Sequence, residues 1–445
     1  MKRHAMGMAL AVLVVAIGGC GRSGSDRQGG AQDAHAKAAP EPKVLNVYNW
    51  SDYIAEGTVP AFEQRSGIKV AYDVFDSNEL LEAKLLASGS GYDVVVPSLS
   101  FLGRQIQAGV FQPLDKSKIP NLANLDPAMM ERIAQQDPGN RYAVPYLWGT
   151  TGIGYNIDKV QAAFGTTDVV NSWDLVFKPE NIAKLKDCGV TLLDTPSEII
   201  PTVLHYLGED PNSTDPKVIE RGVQVLRKIR PYIRNFHSSQ YIDSLAKGTT
   251  CLVIGWSGDV LQARDRAKEA GNGVHIAYSI PKEGALQFFD MLAIPKDAQH
   301  PDNAHAFINY LLEPEVAAAN TNFVSYPTAV TQATPLIDAA IRDDKTIYPP
   351  PEVTAKLFGL KIMPPEVDRL YTRLWTELKT ASDPLLPNPS ENLSGVRGRA
   401  LARGRWATGR RPNEPRMDAD LGVPRARARP RTPHVETTAA ALASN

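Results

Sequence analysis

The sequence predicts an α/β protein made of two domains around parallel, doubly wound strands. Two observations carry this: from Lys43 onward short apolar runs alternate with helix-length segments, and 445 residues give room to lay the pattern down twice. VLNVY (44–48) reads as the first strand, and TVPAFEQRSG (58–67) as a helix stopped at Gly67. IKVAYDVF (68–75) is apolar or aromatic at every second position, the period of a strand. In DSNELLEAKLLASG (76–89), Asp76 and Glu79 have capping-box spacing, Leu81 and Leu85 share a face, and Gly89 is the expected stop. YDVVVPS (92–98) is a continuous apolar run, as in a strand covered on both faces. GVTLLDTPSE, TTCLVIGWSGD and FFDMLAIP repeat the strand pattern later, and NAHAFINYLLEPEVAAAN follows them as helix. No internal sequence repeat is visible.

The two ends differ from this body. Lys2, Arg3 and His4 precede AMGMALAVLVVAIGG, an apolar run too short to span a bilayer, which is the plan of a secretory signal. IGGC, ending at Cys20, resembles a bacterial lipobox, which implies lipidation of Cys20 and a periplasmic protein anchored to a membrane. Residues 1–20 are thus expected to be a lipoprotein signal and 21–43 a polar tether. Residues 383–445 hold no apolar periodicity and are rich in Arg and Pro, so they are expected to be disordered. Residues 391–445 carry a net charge of +6 and the leader +2, leaving −9 for residues 21–390. An acidic body favours encounter with cations. The basic tail has a single aromatic ring, Trp406, and no stacking platform, and a nucleic-acid arm is not expected in an exported chain.

Chemistry concentrates where apolar runs end. In open α/β sheets, ligands bind beyond the carboxyl ends of the strands. There stand Trp50, Ser51, Asp52 and Tyr53; Ser98; Asp194 and Glu198; Trp256 and Asp259; Phe288 and Asp290. No Arg or Lys lies inside these clusters. Carboxylates pair with ammonium groups through charge-assisted hydrogen bonds, and aromatic faces cover cations and methylenes. Taken one at a time, a strand-end ring is more often core and a lone Asp more often a helix cap; their recurrence at several strand ends points to an organic amine.

Enzymatic motifs do not compete well. GWSGD (255–259) lacks the second glycine of a nucleophile elbow, GTTGIGYN has its glycines out of order for a dinucleotide fingerprint, and HPDNAH matches no common zinc spacing. Neither a metal nor a cofactor is expected. After Cys20 only Cys188 and Cys251 remain, free to pair in an oxidising compartment or to stay as buried thiols.

The segments YNWSDYI, YDVFDSNE, TTGIGYN, FHSSQYI, IGWSGD, SIPKEGA and FFD resemble the polyamine-binding proteins of bacterial ABC importers, of the putrescine-binding type. The likeness covers roughly three-quarters of the chain. It implies a two-lobed periplasmic-binding-protein fold (type II-like) with a hinge and one cleft at the strand carboxyl ends. Lobe 1 would hold 44–147 plus 271–324, and lobe 2 148–270 plus 325–382. Position by position it implies ligand contacts from Trp50, Ser51, Asp52, Tyr53, Ser98, Glu198, Ser238, Trp256, Asp259, Phe288, Asp290 and Tyr326. The ammonium groups would lie against Asp290, Asp259 and Glu198, and Cys188 and Cys251 would match a paired set. The implied ligand is a polyamine, putrescine first, with spermidine, cadaverine and agmatine as candidates. The implied partners are the membrane subunits of an ABC permease, served by a monomer. A sensory receptor of the same fold and an enzyme acting on an amine are the alternatives at this level.

Overall fold

A computed structural model describes residues 41–380 apart from residue 88. The leader, its Cys20, most of the tether and the basic tail lie outside the described residues. Among these, nine strands join one mixed sheet: β1 (Val44–Trp50), β2 (Lys69–Phe75), β3 (Val94–Val95), β4 (Ala143–Asn156), β5 (Val190–Leu192), β6 (Asn235–Phe236), β7 (Leu252–Trp256), β8 (Ile276–Ser279) and β9 (Leu286–Ala293). The order is β2-β1-β3-β9-β4-β7-β5-β6, with β8 also on β4.

The expected parallel arrangement holds within each half but not between them. β1 runs parallel to β2 and β3, and β5 runs parallel to β6 and β7. β4, β8 and β9 run antiparallel to their neighbours. β4 is the reason. Its first part pairs with β9, between Ala143 and Thr151, and its last part pairs with β7 and β8, from Thr151 to Asn156. One 14-residue strand therefore serves both halves, with a register shift between Pro145 and Trp148. β8 pairs with the far end of β4, so residues 276–279 stand with the second half, whereas the sequence-based division grouped them with the first.

Helices cover both faces of the sheet, and the core is continuous aliphatic and aromatic packing around Leu45, Val94, Ile153, Leu192 and Leu252. The first helix, Thr58–Ser66, ends at left-handed Gly67 (φ 72°), as the sequence reading expects. The second, Asn78–Leu86, is capped by Ser77, whose hydroxyl accepts from Leu80 N at 3.2 Å; the capping-box reading of Asp76 does not hold. Cys188 and Cys251, just before β5 and β7, form a disulfide with 5.6 Å between Cα atoms. No helix among the described residues is long and apolar enough to cross a membrane.

Candidate functional site

The carboxyl ends of β1, β2 and β3 face those of β5 and β7 across a narrow slot. Eleven of the twelve expected residues line it: Trp50, Ser51, Tyr53, Ser98, Glu198, Ser238, Trp256, Asp259, Phe288, Asp290 and Tyr326. Topology explains the convergence, because several sit at the first turn after a strand. Ser98 precedes the helix Leu99–Gln107, Glu198 lies in the first turn of Pro196–Tyr206, and Asp259 in that of Ser257–Ala270. The positive ends of helix dipoles favour carboxylates there.

Three acids define the chemistry. Asp290, Asp259 and Glu198 are only 3%, 4% and 7% exposed. Asp290 accepts from Tyr53 Oη (2.8 Å) and Ser98 Oγ (2.5 Å). Asp259 accepts from Tyr326 Oη (2.7 Å) and Tyr241 Oη (2.8 Å). Glu198 accepts from Thr151 Oγ1 (2.8 Å) and Trp256 Nε1 (3.0 Å). Every one of these donors is neutral. Burial pushes each of the three carboxyls up to about 7, against the partial relief of those hydrogen bonds. For Glu198, the neighbouring Glu79 and Asp290 add to the rise. A buried carboxylate without a cation is costly, so the slot is built to receive positive charge.

Aromatic rings form the walls. Trp50 and Trp256 meet edge to face with centroids 5.4 Å apart, and Tyr53 meets Tyr326 at 4.8 Å. Trp50 is fixed by donation from its Nε1 to Val96 O (2.9 Å). Phe288 and Tyr326 lie 6.2 Å apart. Gly258 allows this packing, because a Cβ there would fall 2.3 Å from the Tyr326 ring. The second glycine of GWSGD thus serves close approach, not a nucleophile elbow.

Asp52 is the exception among the expected contacts. It adopts a left-handed conformation (φ 53°), and its carboxylate pairs with Arg266 Nη2 at 2.5 Å outside the slot. Its carbonyl accepts from Gln262 Nε2 at 3.1 Å. The strand-end acid Asp194 likewise turns away, to Lys379 Nζ at 2.8 Å. Four lining residues escaped the sequence reading: Phe75, Asp76, Ser239 and Ile242. Phe75 ends β2 and Asp76 follows it, so the strand-end rule could have found them. Ser239 lies just before the short helix Tyr241–Ala246 and Ile242 in its first turn, and neither carries such a signal. Tyr241, which orients Asp259, sits in the same FHSSQYI segment.

Comparison with known proteins settles the family. A model of bacterial extracellular solute-binding proteins matches residues 58–349. The chain belongs to this family of extracellular solute-binding proteins. This solute-binding protein is 57% identical over 343 residues to the putrescine-binding periplasmic protein PotF of Escherichia coli, covering 77% of the chain and 93% of the relative. It is 56% identical to the putrescine-binding periplasmic protein SpuD of Pseudomonas aeruginosa, over 77% and 93%. Among solved structures, the spermidine/putrescine ABC transporter substrate-binding protein PotD of Streptococcus pneumoniae superposes with a TM-score of 0.61 at 30% identity, over 76% of this chain and 98% of that one. The two-lobed binding-protein fold is that of these neighbours.

Proposed function

We propose that this chain captures a small polyamine, putrescine foremost, outside the cytoplasm and hands it to an ABC permease. The observation that carries the reading is the set of three buried carboxylates with only neutral donors, set between aromatic walls. The names of its relatives point the same way. In this reading the eleven lining residues contact the ligand, and Asp52 acts outside the slot. The division into lobes follows β4: residues up to about 147 with the helices Pro301–Leu311 and Pro314–Val324 on one side, and β5 to β8 on the other with the last helix, Pro365–Thr380, whose Trp375 and Lys379 bond Asp194. The Cys20 anchor would keep the protein near its membrane. The protein binds as a carrier and changes no bond, so an amine released from it is the amine it took up.

Binding selects a closed form. Closing the slot without a cation strips water from three acids, whereas a diammonium chain supplies the missing charge and fills the space between Trp50, Trp256, Phe288 and Tyr326. A ligand whose ammonium groups miss the carboxylates leaves a buried charge unpaired and is disfavoured. Isothermal titration of the protein, freed of carried-over ligand, is the test. One-to-one putrescine binding, lost in Asp290→Asn, is expected; absence of heat with any diamine on folded protein would sink the assignment.

A further inference from the structure

We propose that Arg132 sets the upper length of the ligand, by placing a fixed positive charge in a second compartment that continues from the Glu198 end of the slot. The inference rests on the diamine reading above and names which amines the slot turns away.

The two cavities share Ser98, Glu198 and Phe288. At the other end of the slot Asp259 is closed in by Tyr241 and Tyr326. An amine longer than the slot, with one end held at Asp259, reaches this second compartment by extending past Glu198. Beyond that point the compartment is lined by the cations Arg132 and Lys361, with Glu198 as the one acid in its lining and Glu79 set behind Ser197, whose Oγ donates to it at 2.8 Å. Glu198 would already be engaged by the ligand's own ammonium group. The Arg132 guanidinium is held in place, donating to Gln287 Oε1 at 2.9 Å and lying over the Phe289 ring at 5.1 Å. Gln287 and Phe289 flank Phe288, so the charge is tied to the strand that forms the slot wall. The room for a third ammonium exists, and its charge does not fit there. Gln136 Oε1, buried in the same compartment without a partner among the described residues, offers an acceptor that a third ammonium could use if the repulsion were removed.

The experiment compares putrescine and spermidine titrations for the wild-type protein, Arg132→Gln and Arg132→Lys. Arg132 is exposed, so the variants are expected to melt like the parent. Arg132→Gln should tighten spermidine about tenfold while putrescine changes less than about twofold, and the gain should shrink in high salt. Arg132→Lys, which keeps the charge, should stay near wild type. An unchanged spermidine-to-putrescine ratio in Arg132→Gln, with putrescine still bound, overturns this inference alone. A wild-type protein that binds neither amine overturns the diamine reading itself.

Discussion

Asp290 and Asp52 are both strand-end acids, yet their surroundings give them opposite weights. Asp290 is buried, so replacing it by Asn leaves a ligand ammonium without its partner. Putrescine affinity should fall at least about a hundredfold by titration, while the ligand-free variant should melt higher at pH 8, having lost an unpaired buried charge. Asp52→Asn removes only a half-exposed ion pair with Arg266. Its cost should stay below about fivefold in affinity. The strand-end positions of these acids were legible because strand ends show in the apolar runs. Those runs did not separate Asp52 from its neighbours, because the left-handed turn that sends its carboxylate outward leaves no mark in residue type. Asp76 was misread for a related reason: Ser77, one position on, is an equally good cap.

At the scale of elements, β4 and the disulfide do separate jobs. The alternation of strands and helices was readable, but strand direction was not. A run buried on both faces, such as AVPYLWGTTGIGYN, looks the same whether its partners are parallel or antiparallel. The Cys188–Cys251 bond ties the chain just before β5 to the chain just before β7, at the strand ends away from the slot. The double variant Cys188→Ala/Cys251→Ala should lose about 2–5 kcal/mol in denaturant unfolding. Its putrescine affinity should remain at the parent value. Gly258→Ala should do the reverse. Its new methyl would drive Tyr326 off Asp259, lowering affinity by about tenfold or more with little change in melting. A variant that binds normally would show that Tyr326 has room to retreat.

At the scale of the whole molecule, three buried acids predict that protons are coupled to the cargo. Asp290, Asp259 and Glu198 have acid forms stabilised by burial, with values of about 7 in the folded protein against ordinary carboxyl values unfolded. Their contribution to ligand-free stability is therefore present in full below about pH 4 and is lost as pH rises through about 7. Ligand reverses the preference, since an ammonium favours the ionised acids. Putrescine affinity should rise with pH through about 7, and binding near neutrality should release protons. Titrations in buffers of differing ionisation enthalpy measure that release directly; buffer-independent heats would refute it. The same sign predicts that the ligand-free protein becomes more compact by small-angle scattering as pH falls below about 7, because protonation removes the penalty for closing.

The absence of any built-in cation among the donors to these three acids has one more consequence. A lysine in the slot would neutralise the acids permanently and let the halves shut on nothing. Without one, the shut contour is itself a certificate of occupancy, so a permease that docks only that contour spends its nucleotide on loaded arrivals and ignores vacant ones.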